Sequence, residues 1–233
     1  MARPGTEMKT QAEAAGQGTA RIAAYWDDAC RHLKRRDRVL KRLIPQFGQA
    51  RLQSRGDAFT TLARSIVGQQ ISVKAAQSVW LRFERLAGAA EGEPSPRVDP
   101  LGVLALEGPR LREAGLSARK AEYLLDLARH FAEGRVHVAQ WECMGDEAIV
   151  EELVAIRGIG RWTAEMFLMF HLLRPDVLPL DDLGLLKGIS VNYFSGEPVT
   201  RAEAREVAEA WAPYRSVATW YLWRSLDPLP VDY

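Results

Sequence analysis

Leu153-Val154-Ala155-Ile156-Arg157-Gly158-Ile159-Gly160-Arg161-Trp162-Thr163-Ala164 is the stretch on which the reading of this chain turns. Helix-period sequence flanks it on both sides, beginning at Asp146 upstream with acids in the first turn, as a helix dipole prefers. Two glycines one residue apart let the backbone turn tightly between helices and approach another surface with no Cβ in the way. The amides that follow open a helix, and first-turn amides have no intrahelical acceptor, which suits a phosphate. Ile159, apolar between the glycines, is expected to pin the turn to its own helices. A bare Gly-Ile-Gly fits any helix–turn–helix connection. The longer pattern Leu-x-x-Ile-x-Gly-Ile-Gly-x-x-Thr-Ala between two helices is far more specific.

Working outward, helical periodicity dominates and strand alternation is nearly absent, so the fold class is all-α. Phe59, Leu62, Ala63, Ile66 and Val67 form one stripe, and Ser72 caps a helix whose stripe is Ala76, Val79, Trp80 and Phe83. Ser117 opens a helix with Leu124, Leu127, Ala128 and Phe131 on one face. Thr200 and Glu203 make a capping box for a helix running to about Trp211, and Pro213 suits the first turn of a last helix through Ser225. The Gly/Pro-rich stretch 88–98 reads as a loop, and residues 1–18 as a disordered terminus.

Composition narrows the function classes. At 233 residues, 47% hydrophobic and 26% charged, the chain has the balance of a globular protein able to bury a core. No apolar run approaches the roughly 20 residues of a membrane span, and no signal-peptide core precedes the first helix. Cys30 and Cys143 lie far apart without ligand spacing, which argues against zinc, a four-cysteine cluster and a disulfide framework, and for a cytoplasmic setting. His32, His130, His137 and His171 likewise show no ligand spacing. Net charge is +1, but residues 21–42 carry eight Lys/Arg against three Asp. The ordinary reading of such a run is a solvated helix face, and it also permits a local nucleic-acid patch.

The central pattern resembles the helix-hairpin-helix DNA-binding motif, and three further stretches extend the likeness. Leu178-Pro179-Leu180-Asp181-Asp182-Leu183 follows as a Pro-bearing loop ending in acids. Ile66-Val67-Gly68-Gln69-Gln70-Ile71-Ser72 precedes the hairpin, and Trp211-Ala212-Pro213-Tyr214-Arg215-Ser216 with Trp223 closes the chain. Together they are similar to the HhH-GPD superfamily of DNA glycosylases, and within it to the 3-methyladenine DNA glycosylase II (AlkA-like) family, over roughly residues 55–226. The β-rich N-terminal domain of the best-known members has no counterpart here, so the chain looks like a compact form.

The resemblance implies a monofunctional glycosylase that flips alkylated purines from duplex DNA and hydrolyses the N-glycosidic bond. It implies Asp182 as the catalytic carboxylate, since bond cleavage builds oxocarbenium character that a carboxylate stabilises. Asp181 is the rival, with helix capping as the other role for either acid. Trp162 stands where bifunctional relatives carry a Schiff-base lysine, so no lyase activity is expected. Trp162 and Trp223, with Met166 and Leu183, are the implied base pocket; core packing is the other role open to the tryptophans, and Trp211, Tyr214, Trp220 and Tyr221 are assigned to core or support. Gln70 and Ile71 are the implied wedge, a helix cap being the alternative for Gln70. Gly158, Gly160, Arg161 and Thr163 are the implied phosphate contacts. The carbonyls of Val154, Ile156 and Ile159 are placed to hold a sodium or potassium ion, with no other cofactor required. The resemblance further implies two lobes with a DNA cleft between them: residues 19–71 with 183–233 in one, and 72–182, containing the hairpin (146–173) and the Pro/Asp loop, in the other. A monomer acting on damaged double-stranded DNA is expected. The remaining readings are a glycosylase for another lesion and a non-catalytic hairpin module.

Overall fold

Side-chain caps set most of the helix starts. The computed structural model describes residues 21–54, 56–88, 97–106 and 108–227; the expected disordered terminus, 1–18, and most of the loop at 88–98 lie outside them. The helices are α1 (Trp26–Arg36), α2 (Arg38–Leu43), α3 (Ala58–Gly68), α4 (Val73–Leu86), α5 (Pro100–Leu104), α6 (Gly108–Glu113), α7 (Ala118–Ala132), α8 (Asp146–Val154), α9 (Arg161–Phe170), α10 (Leu183–Tyr193), α11 (Arg201–Glu209) and α12 (Arg215–Leu226). Asp37, Asp57, Ser72, Asp99, Ser117, Thr200 and Asp182 each accept an amide proton from the helix they precede. A two-residue antiparallel pairing, β1 (Arg21–Ile22) with β2 (Gln53–Ser54), is the only sheet among the described residues. None of the described helices is long and apolar enough to cross a membrane.

Two hydrophobic cores divide the chain. The larger gathers α3 through α9 around Phe59, Leu62, Trp80, Phe83, Leu124, Trp141 and Phe167. The smaller joins α1, α2, α10, α11 and α12 around Trp26, Leu33, Leu40, Trp211 and Tyr221. This corrects the expected boundary at residue 71: α3 belongs with the hairpin lobe. Its apolar stripe is broad enough to be buried against α7, α4 and α9 in that lobe, so the chain changes lobes between Leu52 and Ala58. Pro213 is also displaced from the expected role, since α12 starts at Arg215 with Tyr214 at its N-cap, which leaves Pro213 outside the first turn.

The segment between α9 and α10 fastens the lobes together. Arg215 holds Asp176 through two guanidinium bonds of 2.7 Å, and Ser216 Oγ both donates to the Arg174 carbonyl at 2.7 Å and accepts from the Val177 amide at 2.9 Å. These contacts bring the first turn of α12 onto the Pro-bearing loop and so fix where that loop ends.

Candidate active site at the lobe boundary

The hairpin turns at Gly158, whose φ of +87° is a left-handed conformation that strains any residue with a Cβ. A Cβ there would also lie 2.2 Å from Cδ2 of Tyr123, so the ring of α7 closes directly over this backbone. Ile159 is 4% exposed, its amide donates to the Ile156 carbonyl at 3.2 Å, and it seats the turn in the larger core. Gly160 caps α9 with extended backbone and offers no side-chain acceptor to the first-turn amides. Gln69 Nε2 donates to the Gly158 carbonyl at 2.8 Å, and Lys120 Nζ donates to the carbonyls of Val67 and Gln69, each at 2.7 Å. The turn after α3 and the hairpin are therefore one braced unit. Gln70, with φ of +59°, and Ile71, 40% exposed, project from it.

Asp182 closes the Pro-bearing loop where the two cores meet. Its Oδ1 accepts from the Leu185 amide at 2.6 Å and from Trp223 Nε1 at 2.7 Å, and its Oδ2 accepts from Trp162 Nε1 at 2.8 Å. One carboxylate thus caps α10 and takes an indole N–H from α9 and another from α12. Three donors converge on it, an arrangement that holds the carboxyl group in one orientation. Trp162 is 37% exposed, while Trp223 stacks on Phe170 with centroids 5.8 Å apart and planes 8° from parallel. Asp181, the rival acid, pairs with Arg201 at 2.7 Å on the surface; the capping role falls to Asp182 itself.

The other pocket and phosphate residues spread more widely. Leu183 is 80% exposed beside Asp182, whereas Met166, one turn along α9 from Trp162, is buried in the larger core. Thr163 is buried, so its amide rather than its hydroxyl stands at the opening of α9. Arg161 is held by Glu147 of α8 through both terminal nitrogens. The Ile156 carbonyl takes one hydrogen bond within the turn, and α8 ends with no basic residue in its last turn. Gln69, Tyr123, Lys120 and Glu165 escaped the sequence reading. Glu165 had one available signal, being the only acid between Arg161 and Arg174. It is 9% exposed, its Oε2 has no hydrogen-bond partner, and Arg161 approaches to 3.9 Å. Burial above all raises its pKa to about 7, with Asp181, Glu147 and Asp182 adding to the rise and Arg161 opposing it.

Comparison with known proteins places this geometry in context. Residues 63–213 match the family described as HhH-GPD superfamily base excision DNA repair protein. A putative DNA-3-methyladenine glycosylase of Bacillus subtilis is 33% identical over 169 residues, covering 72% of this chain and 59% of that protein, so the chain spans well under two thirds of its length. The crystal structure of a DNA-3-methyladenine glycosidase from Bacillus halodurans superposes with a TM-score of 0.79 at 35% identity, over 89% of this chain and 93% of the other. The 3-methyladenine DNA glycosylase of Schizosaccharomyces pombe in complex with abasic DNA gives a TM-score of 0.70 at 29% identity, over 88% and 100%.

Proposed function

The chain belongs to the HhH-GPD superfamily of base excision DNA repair proteins, and from that premise we propose that it is a monofunctional DNA glycosylase for alkylated purines. The observation that carries the reading is Asp182, fixed by two indole N–H groups at the lobe boundary beside a half-exposed tryptophan. A flipped, electron-poor purine stacks on Trp162, with Leu183 lining the opening and Met166 beneath it. As the C1′–N bond breaks, its electron pair leaves with the base, which an alkylated purine accepts readily because it departs neutral. Positive charge builds on the deoxyribose next to the Asp182 carboxylate, whose donors need no reorganisation to hold it there. Water adds at C1′ and its proton passes to solvent through the same carboxylate, leaving an abasic site. Trp162 has no nucleophilic amine, so the strand stays intact.

The first-turn amides of α9, with Gly158 and Gly160 leaving room for close approach, receive the DNA phosphate, and Arg161 joins them by exchanging Glu147 for phosphate. Gln70 fills the space the base vacates; its left-handed backbone on an exposed turn is the kind of strain kept for such a task. The carbonyls of Val154, Ile156 and Ile159 would hold a sodium or potassium ion, the last turn of α8 itself carrying no basic residue. Such an ion would add positive charge beneath the phosphate. The protein acts as a monomer on double-stranded DNA in the cytoplasm.

The test is chromatographic release of free base from methylated duplex DNA by wild type and Asp182→Asn. Asparagine still caps α10, so the fold is retained. Release of 3-methyladenine by wild type, reduced on the order of 10²-fold or more in the variant, is expected. No release by either protein would overturn the reading.

A further inference from the structure

The basic run flagged in the sequence gathers into one concave surface that the site at Asp182 does not use. Where α1 ends and α2 begins, Arg31, Lys34, Arg35, Arg36, Arg38 and Lys41 line a cleft of about 740 Å³ in which Asp37 is the only acid. Arg31 pairs with Asp28; among the described residues the other five cations form no ion pair. Asp37 does not offset them through contact. It is buried, and its oxygens are taken by four neutral donors: the amides of Val39 and Leu40, the Tyr193 hydroxyl at 2.7 Å and the Trp211 indole at 2.9 Å.

The helix dipole accounts for part of this arrangement, since Lys34, Arg35 and Arg36 lie in the last turn of α1 and Lys41 in that of α2, but not for its repeats of one sign. Solvated faces usually alternate sign at i, i+4, whereas here Arg31 with Lys34 and Arg35, and Arg38 with Lys41 and Arg42, repeat one sign at i, i+3 and i, i+4, which destabilises a helix. Arg38 also sits at the first position of α2, where the helix dipole repels a cation. The cleft is separate from the first site: α10 runs from the Asp182 cap to Tyr193, whose hydroxyl bonds Asp37, and its eleven residues at 1.5 Å each alone span about 16 Å. Five cations along a groove, none of them in an ion pair among the described residues, match a repeating anion better than a single one.

We propose that this cleft is a second DNA-backbone contact, separate from the hairpin, that holds phosphates of a flanking stretch or of a neighbouring segment. It rests on the reading that the protein works on DNA. The triple variant Lys34→Gln, Arg35→Gln and Arg38→Gln tests it through anisotropy of an undamaged 30-base-pair duplex against salt. Losing three phosphate contacts makes the slope of log K against log salt shallower by about 2.7. Between 50 and 200 mM salt the fall in affinity then shrinks by about 40-fold relative to wild type. Melting temperature is expected to stay level or rise as like charges are removed, and base release at saturating enzyme to stay unchanged. An unchanged slope overturns the proposal, and so does a parallel loss of base release, which would make the cleft part of the lesion interface. A shallower slope in a protein that releases no base from methylated DNA would keep the contact and overturn only the glycosylase reading. Affinity loss that grows with duplex length assigns the cleft to a flank; wild-type dissociation hastened by free competitor DNA, and less so in the variant, assigns it to a second segment.

Discussion

Replacing Glu165 by glutamine should stabilise this protein at alkaline pH and leave it unchanged in acid. The carboxyl side chain is 12% exposed, one oxygen is buried without a partner, and the nearest cation, Arg161, is already committed to Glu147. The carboxyl's pKa is raised from 4.5 to about 7, burial being the main cause. At about 1.36 kcal/mol per pH unit the full difference is on the order of 3 kcal/mol, and with Arg161 and water reaching one side roughly 1–2 kcal/mol is the working figure. The sign follows from proton counting. Between pH 4.5 and 7 the native state keeps a proton that the unfolded chain has lost, so stability falls as pH rises through that window. Below it both states are protonated and no penalty exists; above it the whole penalty is present. Glutamine is a neutral isostere and removes it. Thermal melts of both proteins from pH 4.5 to 8.5 should coincide at the acid end and separate by roughly 2–8 °C at pH 8, taking about 2–4 °C per kcal/mol for a chain of this size. A constant offset at every pH, or a variant less stable at pH 8, would refute the reasoning.

Three further outcomes follow from single contacts. Gly158→Ala meets both a left-handed backbone and the Tyr123 ring, and should destabilise the protein by roughly 2–4 kcal/mol in denaturant titration. Adding Tyr123→Ala should lower duplex affinity less than the single variant does, because it makes room for the hairpin. Trp162→Phe keeps the aromatic surface but removes the donor to Asp182 Oδ2, so single-turnover base release should slow on the order of tenfold with duplex binding little changed. Lys120→Met leaves the carbonyls of Val67 and Gln69 without their donor and should cost about 1–3 kcal/mol in melting experiments; no loss would show that this brace contributes nothing to the fold.

The parts of this molecule legible in the sequence are those written in short-range chemistry. Caps at Ser72, Ser117 and Thr200 and the apolar stripe of α3 locate helices because each acts within one or two turns. Asp182 came forward only through the resemblance to the glycosylase superfamily, because a Pro-bearing loop ending in two acids leaves Asp181 and Asp182 equivalent; it is the packing that gives Asp182 the cap of α10 and both indole donors. What stayed hidden depends on contacts between segments distant in sequence. Nothing local to α3 says which lobe buries its stripe. Gln69 reaches across 89 positions to the Gly158 carbonyl, and the Lys120 ammonium bridges more than fifty. Glu165 was visible as an acid in an apolar run, yet only packing determines that its carboxyl is enclosed rather than turned to solvent.

The geometry at Asp182 ties helix packing directly to chemistry. Capping, by itself, asks only that a short polar side chain reach the amide of Leu185; the indoles of Trp162 and Trp223 require that α9, α10 and α12 all converge on the same two oxygens. Convergence depends on how closely α12 can approach α10. A Cβ at Gly184 would lie 3.0 Å from Asp182 Oδ1 and from the Trp223 indole, and one at Gly188, a turn later on the same face, 3.0 Å from Leu222 Cβ. The two small residues let α12 settle against α10 until the Trp223 N–H reaches the carboxylate, while Ser216 and Arg215 fix the other end of α12 to the loop that presents it. The site is therefore held by both lobes at once: α9 delivers Trp162 from the larger lobe, α10 delivers the cap from the smaller, and α12, rooted in the smaller core, reaches across to pack Trp223 against the larger one. A change that loosens the lobe junction should weaken Asp182's orientation before it unfolds either core, because no single lobe carries all three donors.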